Sequence, residues 1–584
     1  MSEWRIPCIN LACEFLNKAQ DNSSIQETDL KHYLKVIDFI IISSSYYETG
    51  FTMKSIRVRN LRSFDNVSSQ PFIDIKPITV FVGKNSCGKS SLLRSFPLLR
   101  QSIESNTSGP ILWYGQYVDY GAFSEAKNKS NMDKSIFFDF KFDLKHQVRG
   151  LPSKLRINNI PLDLTLEVIE SNKSTIAKSV SIRLNSTLIE VDFHPRSEVR
   201  VDGEIIATSL LGYSPKHCLI PIIHHHAFDE EDLFDFEEDE LDNPYNFNDD
   251  EDEDKEERKS DFLNSLDDLY SSQDALSRIH VSEIVNILSG IFDGRSNYSE
   301  LEQWYVDSMS IMSTEQIKHK IHSTLPTKRK LNDLELEKIH KNNTICFIPE
   351  LIDLINSYFK DYSNGIKYVA PLRATAERFY RFQDLRVEEI DHTGSNLAML
   401  LRSLTSYEMK KFQNWCKDNF GFIISVPETD NLHYEINVTI DNQTQNISDM
   451  GFGFSQILPI VTTLWLETSK PGHRLRNKRL TFVIEQPELH LHPEFQSVLA
   501  RVFAAISTHN RRYELLNISI NIIFETHSKT MIDAIGDYIE ENKCPELASI
   551  YVFDKHEGNT VISKSEFDED GDLINWPIGF FSGR

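Results

Sequence analysis

The sequence has no long apolar run and few cysteines, and both absences narrow the class of protein that it encodes. Among its 584 residues, no stretch approaches the roughly 18 uninterrupted apolar residues needed to cross a membrane. The start lacks the basic region and the small-residue cleavage site of a signal peptide. The seven cysteines are scattered and form no CxxC pair, which is typical of reduced thiols. We therefore expect a cytoplasmic protein without membrane contact.

A sustained heptad pattern is also missing, which argues against a long coiled coil. The length favours several domains. Composition and patterning predict five segments: an N-terminal extension (1–52), a first α/β part with a β-rich lobe (53–215), an acidic linker (216–260), a helical insertion (261–365) and a second α/β part (366–584).

Positive charge is scarce, and the net charge is -25. Much of the acidity lies in residues 229–258, which hold 18 acidic side chains and two basic ones. Such a run repels itself and buries little apolar surface, so it predicts a solvated linker. Basic clusters at 57–62, 328–330 and 473–479 could form a local phosphate-binding surface, although each of them alone is more typical of ordinary solvated surface.

Residues 78–90 read ITVFVGKNSCGKS, an apolar strand followed by a glycine-containing loop. A helix with apolar residues on one side follows, so the loop has the strand-loop-helix setting of a P-loop. Its backbone N–H groups and the helix N-terminus favour phosphate, Lys89 would reach the β- and γ-phosphates, and Ser90 would ligate Mg²⁺. The candidate nucleotide-binding residues are Gly83, Lys84, Asn85, Ser86, Cys87, Gly88, Lys89, Ser90 and Ser91.

Two further apolar strands end in polar side chains. RLTFVIEQPELHLHP (479–493) ends its apolar run at Glu485, and NISINIIFETHSK, farther along the chain, ends in Glu525 and His527. The carboxyl ends of parallel strands lie at one edge of a sheet, where open α/β sheets bind ligands. We expect Glu485 to hold Mg²⁺ with Ser90 and His527 to meet the γ-phosphate.

The segment DMGFGFSQILP (449–459) predicts a second anion-binding helix. Gly453, Ser455 and Gln456 open this helix, and its first N–H groups favour an anion. The P-loop already holds the phosphates of its own nucleotide, so this helix is expected to serve another nucleotide. In the ABC-type ATPases that this arrangement resembles, such a helix completes the site of a second copy, and the resemblance therefore implies a homodimer or a higher even oligomer.

The order and spacing of these motifs resemble the ABC-type ATPase heads of Rad50, RecF and SMC proteins. The resemblance is closer to bacterial stand-alone ATPases of the overcoming-lysogenization-defect kind, and it covers roughly residues 53–125 and 366–581. It implies an α/β ABC-type head with a mainly parallel P-loop sheet, a β-rich lobe and a helical insertion, and it implies ATP and Mg²⁺ as ligands. Its blocks are MKSIRVRNLRSF, YVAPLRATAERFY, HTGSNLAMLL, DMGFGFSQILP, IEQPELHLHP and INWPIGFF.

Several members of this group act in anti-phage defence. The resemblance implies a Septu-type or retron-associated ATPase that gates a separate HNH effector nuclease, with a reverse transcriptase and its RNA–DNA product as a further partner. We expect no nuclease site in this chain, because the acidic run FDEDGD (567–572) is predicted to form a hairpin turn. The alternative is a DNA-repair or DNA-end-processing ATPase that contacts nucleic acid directly. A transporter ATPase is disfavoured by the long insertion.

ABC-type heads usually carry a glutamate after the metal-binding carboxylate, but here that position is Gln486. A glutamine can orient water but cannot accept its proton. Either Glu488 or His527 accepts the proton, or hydrolysis is slow and ATP acts as an assembly switch. We favour slow hydrolysis. The catalytic candidates are thus Glu485, Gln486, Glu488 and His527.

Overall fold

A computed structural model describes most of the two predicted α/β parts. The described residues are 50–67, 70–105, 107, 109–147, 157–194, 197–207, 211–214, 219–225, 275–291, 301, 311–325, 327–383, 385, 387–468, 479–508 and 519–577. Almost all of the predicted N-terminal extension and of the acidic linker lies outside these residues, as does the end of the INWPIGFF block.

The strands are β1 (Gly50–Arg59), β2 (Ile73–Asp74), β3 (Ile78–Gly83), β4 (Ile136–Gln147), β5 (Ile157–Ser171), β6 (Ser174–Leu184), β7 (Thr187–Asp192), β8 (Glu198–Val201), β9 (Glu204–Ala207), β10 (Leu211–Ser214), β11 (Ile222–His225), β12 (Ile366–Val369), β13 (Tyr380–Arg381), β14 (Ile423–Ser425), β15 (His433–Tyr434), β16 (Asn437–Ile440), β17 (Gln443–Asn446), β18 (Arg479–Glu485), β19 (Ser519–Glu525), β20 (Ala548–His556), β21 (Asn559–Phe567) and β22 (Leu573–Ile574).

The helices are α1 (Lys89–Leu93), α2 (Ser95–Glu104), α3 (Phe123–Ala126), α4 (Ala275–Ser289), α5 (Thr314–Thr324), α6 (Asp333–Cys346), α7 (Ile348–Asn364), α8 (Leu397–Ser403), α9 (Ser406–Phe420), α10 (Phe452–Thr468), α11 (Pro493–Thr508) and α12 (Lys529–Asn542).

The chain falls into two compact units. The smaller includes Asp143–Pro161 and Ile279–Phe347, and the larger includes Met53–Phe142, Leu162–Arg278 and Ile348–Arg584. In the smaller unit, α5 packs on α6, and each of these helices begins with a capping box in which a polar side chain closes the first turn. The smaller unit therefore holds most of the predicted helical insertion, whereas α7 belongs to the larger unit.

The P-loop sheet of the larger unit has seven strands in the order β12-β18-β19-β3-β20-β21-β22. The pairs from β12 to β20 are parallel, and β20-β21 and β21-β22 are antiparallel. All six residues of β3 are buried, which explains its nearly continuous apolar sequence because both faces of the sheet are covered. The predicted mainly parallel P-loop sheet is confirmed.

The β-rich lobe is a second sheet of eight strands, in the order β2-β1-β4-β5-β6-β7-β8-β9. Its pairs from β5 to β9 are antiparallel, and β7 alternates buried and half-buried residues, as expected for a sheet with one covered face. With the helical insertion, the lobe and the P-loop sheet confirm the predicted α/β fold class.

The structure also describes the FDEDGD turn, four of the cysteines and the lengths of the helices. The run FDEDGD forms the predicted hairpin turn, since β21 pairs with β22 across it. Within the described residues, the four cysteines Cys87, Cys346, Cys416 and Cys544 are free thiols. No described helix is long and apolar enough to cross a membrane.

Strand register places the predicted site at one edge of the P-loop sheet. Glu485 at the end of β18 lies opposite Glu525 at the end of β19, and Glu525 lies opposite Phe81, two residues before Gly83 ends β3. The P-loop and both strand-end glutamates therefore share the carboxyl edge of the sheet, the edge at which open α/β sheets bind ligands.

Candidate functional site

The P-loop follows β3 and is fixed in place by β20 and β21. Gly83 passes so close to β20 that an added Cβ would lie 2.4 Å from the Phe553 carbonyl oxygen. Gly88 has φ +96°, and an added Cβ would lie 2.5 Å from Thr560 Oγ1. Thr560 also donates a hydrogen bond to the Cys87 carbonyl at 2.9 Å. Side chains at these two glycines would force the loop away from its neighbours, so the glycines define its path.

Lys89 is buried at the centre of this loop. The residue is 5% exposed. Its Nζ donates hydrogen bonds to the Gly83 carbonyl at 2.9 Å and to the Lys84 carbonyl at 2.7 Å. Burial lowers the pKa of Lys89, while the charges of Glu525 and Glu488 act in the opposite direction. An ammonium group with this little access to water favours an anionic ligand.

Glu485, the predicted metal ligand, is bound by an arginine and a tyrosine. Arg94 Nε donates to Oε1 at 2.7 Å and Arg94 Nη2 donates to Oε2 at 2.8 Å, while the Tyr368 hydroxyl donates to Oε1 at 2.6 Å. The hydrogen bonds that Arg94 donates to Glu485 are the main reason that the pKa of Arg94 is raised. Both carboxylate oxygens of Glu485, which is 1% exposed, are therefore already hydrogen-bonded.

Ser90, the other predicted metal ligand, contacts Glu525 instead. Ser90 Oγ donates to Glu525 Oε2 at 2.7 Å. Burial, and after it the nearby charge of Glu485, raises the pKa of Glu525 to about 7. The structure thus brings Ser90 to the end of β19, one strand closer to the P-loop than Glu485.

These oxygen donors suit Mg²⁺. No group of three or more His, Cys, Asp or Glu side chains among the described residues could hold a metal ion alone. Mg²⁺ commonly binds one or two carboxylates together with substrate phosphates, so a hydroxyl and a carboxylate beside a P-loop fit this ion. When bound, Mg²⁺ would neutralise phosphate charge.

Gln486 follows Glu485 in an unusual backbone conformation, with φ +44°. Its backbone N–H donates to the Glu525 carbonyl at 3.1 Å, which ties the segment after β18 to β19. Left-handed backbone at a residue other than glycine is strained and is concentrated at functional sites. The hydrogen bond from Gln486 holds the turn that carries Glu488 next to the end of β19.

Glu488 and His527 lie side by side. Glu488 Oε1 accepts a hydrogen bond from the His527 backbone N–H at 2.8 Å. Burial raises the pKa of Glu488, and hydrogen bonds from His527 and Thr526 oppose this shift. The pKa of His527 is lowered by partial desolvation and by the charge of Lys89. The structure therefore brings Glu488, His527 and the P-loop lysine together.

Arg373 is a further buried cation of this site. The residue is 6% exposed, and Nη2 donates to the Glu485 carbonyl at 2.8 Å. Its Nε and Nη1 are buried and have no hydrogen-bond partner. Burial lowers the pKa of Arg373 to about 10, against the raising effect of Glu488 and Glu485. Buried donors without acceptors are costly, and they favour an anion or a water molecule beside the guanidinium.

The predicted second anion-binding helix is α10, but the side chains of Ser455 and Gln456 lie inside their own chain. Ser455 and Gln456 are 4% and 5% exposed. Ser455 Oγ donates to the Phe452 carbonyl, Gln456 Nε2 donates to the Arg373 carbonyl at 3.5 Å, and Gly453 lies against the His490 carbonyl. Phe452 at the start of α10 is 60% exposed. In this conformation, Phe452 is presented at the surface, whereas Ser455 and Gln456 are not.

Sequence reasoning did not assign roles to Arg94, Tyr368, Arg373 and Glu525. A signal existed for three of them: Tyr368 and Arg373 lie in the YVAPLRATAERFY block, and Glu525 ends an apolar strand as Glu485 does. Arg94 gave no signal, because its partner lies 391 residues away in the chain.

Comparisons with known proteins agree with a nucleotide site. The family model described as AAA ATPase domain matches residues 53–532. No curated protein matches the chain.

Solved SMC head domains are similar in structure. The head domain of Pyrococcus furiosus Smc bound to the C-terminal domain of ScpA has 10% identity and a TM-score of 0.31, with 88% of this chain and 96% of that chain covered. The SMC head domain of Thermotoga maritima has 8% identity and a TM-score of 0.29, with 88% and 98% covered.

Proposed function

The chain belongs to the AAA ATPase domain family, and from this premise we propose that it hydrolyses ATP and uses bound ATP to hold two copies together. In this proposal, the ATP-bound pair controls a separate effector nuclease in anti-phage defence. The nucleotide lies on the carboxyl edge of the P-loop sheet, where Lys89, Glu488 and His527 meet.

The observation that carries the ATP site is the placement of Lys89. Its ammonium group is buried inside the P-loop and donates to two backbone carbonyls of that loop. Phosphate oxygens accept stronger, charge-assisted hydrogen bonds than neutral carbonyls do. A triphosphate in the loop would therefore be a better partner for this group than the carbonyls that it contacts now.

Three polar residues behind the loop supply the remaining chemistry. Glu488 accepts a proton from the attacking water, because its raised pKa makes it a better base near neutral pH than an ordinary glutamate. Gln486 orients water without accepting a proton. Arg373 donates to the oxygen charge that develops as the phosphate bond breaks, since its Nε and Nη1 have no other acceptor.

Nucleotide binding tests the first part of the proposal. Lys89→Ala should abolish binding of a fluorescent ATP analogue, whereas Lys84→Ala, which removes an exposed lysine of the same loop, should reduce the affinity only a few-fold. Equal affinities in the parent and in Lys89→Ala would rule out the P-loop as the nucleotide site.

The effector proposal is supported by the sequence blocks that resemble Septu-type and retron-associated ATPases. It is tested by co-expressing the chain with an HNH nuclease gene from the same genomic neighbourhood and measuring protection of the host from phage. Protection should require both proteins and should be lost with Lys89→Ala.

The alternative function is direct action on DNA by this chain. Salt-dependent DNA binding by the purified chain alone, together with protection that needs no second protein, would favour a DNA-processing ATPase.

A further inference from the structure

The hydrogen bond between Ser90 and Glu525 joins the P-loop to the end of the neighbouring strand. Ser90 is the P-loop position whose hydroxyl ligates Mg²⁺ in this motif. Its Oγ lies 2.7 Å from Glu525 Oε2. A cation that binds this hydroxyl oxygen is therefore next to the Glu525 carboxylate.

Glu485 is less available to a cation. Its two oxygens accept both hydrogen bonds of the Arg94 fork, and Oε1 also accepts from Tyr368. Direct metal binding would require separating a bidentate ion pair whose carboxylate is 1% exposed, which is unfavourable because it leaves a buried charge without its partner.

Glu525 lacks an ion-pair partner. Within the described parts of the chain, no Lys, Arg or His nitrogen lies within 4.0 Å of its carboxylate, and the residue is 2% exposed. Lys89 contributes charge from a greater distance, while its Nζ donates to two carbonyls. A buried carboxylate without a paired charge is stabilised by binding a metal ion.

We propose that Glu525, rather than Glu485, is the protein carboxylate that binds the Mg²⁺ of the bound nucleotide, together with Ser90. This inference rests on the proposed ATP site. Mg²⁺ needs only one or two carboxylates when phosphates complete its coordination, so Glu525 and Ser90 are sufficient. Glu485 and Arg94 then form a neutral ion pair that packs behind the metal site.

The test measures metal binding without turnover. The affinity for a non-hydrolysable fluorescent ATP analogue is measured in Mg²⁺ and in EDTA for the parent and for Glu525→Gln and Glu485→Gln. Bound Mn²⁺ is counted in parallel by electron paramagnetic resonance with the analogue present. Glu525→Gln should lose about 10-fold or more in metal affinity, the scale on which changes to a metal environment usually act. Glu485→Gln should keep the metal dependence of the parent.

Two outcomes would overturn the inference. One is a Glu525→Gln protein that keeps the full Mg²⁺ dependence and the Mn²⁺ signal. The other is loss of both in Glu485→Gln. Glu525→Asp keeps a carboxylate and should retain a measurable Mn²⁺ signal, which separates a metal ligand from a residue needed only for folding.

Failure of the underlying ATP site has a different signature. In EDTA, the parent and Glu525→Gln should both bind the analogue, because the backbone N–H groups of the P-loop and Lys89, rather than Glu525, bind its phosphates. A parent protein that binds no analogue in either condition would contradict the ATP site itself.

Discussion

Glu485 and Glu525 are register partners at the ends of adjacent parallel strands, yet of these two glutamates only Glu485 forms an ion pair with a described residue. Two buried carboxylates this close cannot both ionise without a cation nearby. Arg94 is paired directly with Glu485, whereas its charge and that of Lys89 act on Glu525 without direct contact. The edge of the sheet therefore carries one carboxylate in an ion pair and one that accepts a hydrogen bond from Ser90 instead.

The first prediction concerns the Arg94–Glu485 pair. Arg94→Met should lower the free energy of unfolding by about 3 kcal/mol, because it leaves Glu485 buried without its cation. The double variant Arg94→Met/Glu485→Gln should recover a large part of this loss, since it removes the stranded charge. Chemical unfolding of the parent, both single variants and the double variant measures the coupling.

An exposed ion pair supplies the control for that cycle. Arg402 pairs with Glu428, and both side chains reach solvent. Arg402→Met should therefore cost less than about 1 kcal/mol. Additive losses in the Arg94 and Glu485 cycle would show that the two side chains are not energetically coupled.

The second prediction concerns the base. Glu488→Gln should lower kcat for ATP by at least about 10²-fold while leaving ATP affinity nearly unchanged, because it removes the proton acceptor and keeps the P-loop. Gln486→Glu should change kcat only a few-fold if Glu488 is the base. Steady-state turnover with saturating Mg²⁺ and ATP measures both.

Glu494→Gln is the control for Glu488→Gln and should leave kcat unchanged. Glu494 is an exposed glutamate that follows Glu488 along the chain. A large rise in kcat for Gln486→Glu, with no effect of Glu488→Gln, would instead support the interpretation in which Gln486 makes hydrolysis slow.

Much of the fold could be predicted because its signals are local. The apolar run of β3 and the glycines after it identified the P-loop, and the strand-end polar residues identified the edge of the sheet. Strand order could not be predicted in this way. The sequence does not show that β19 lies between β3 and β18, and this order decides that Ser90 meets Glu525 rather than Glu485.

The burial of Ser455 and Gln456 could not be predicted from the sequence either. Gly453, Ser455 and Gln456 follow a pattern typical of an exposed helix start, but α10 is buried along most of its length, from Ser455 to Glu467. Helix periodicity cannot reveal this, because a helix that is apolar all round has no distinct polar face.

The third prediction tests whether the exposed start of α10 contacts a second copy of the chain. Phe452→Asp should block ATP-dependent dimerisation, because Phe452 is 60% exposed at the start of α10 and a charge there would have to be desolvated in an interface. Ser455→Arg is a poorer test, since an arginine at a position with 4% exposure would disturb the fold itself. Light scattering with and without ATP measures the association.

Tyr407→Asp is the matched control for Phe452→Asp, because Tyr407 is an aromatic residue with 61% exposure on α9. It should leave dimerisation unchanged. ATP-driven pairing that survives Phe452→Asp would show that α10 does not face the second copy.

The fourth prediction concerns pH. Burial, and after it the charge of Asp353, raises the pKa of Glu350 from 4.5 to about 7. Between pH 4.5 and about pH 7, Glu350 keeps its proton in the folded chain but has lost it in the unfolded chain. The free energy of unfolding therefore falls as the pH rises through this range. Glu350→Gln should therefore be more stable than the parent at pH 8, by on the order of 2 kcal/mol, and equal to it at pH 4. Thermal unfolding of the variant and the parent at pH 4 and at pH 8 measures this difference in stability. The same difference at both pH values would contradict the prediction.

The last prediction separates stability from activity at Arg373. Arg373→Met should raise the free energy of unfolding by about 1 kcal/mol, because it removes two buried nitrogens that have no hydrogen-bond partner. The same change should lower kcat by about 10²-fold, since the free donors are the groups that would stabilise developing charge on the phosphate. Arg378→Met is the control, because Arg378 lies five residues along the chain in an exposed ion pair with Asp449 and should alter neither quantity. A variant at Arg373 that loses stability and keeps its turnover would show that the guanidinium is a structural group, held in place by its contact with the Glu485 carbonyl.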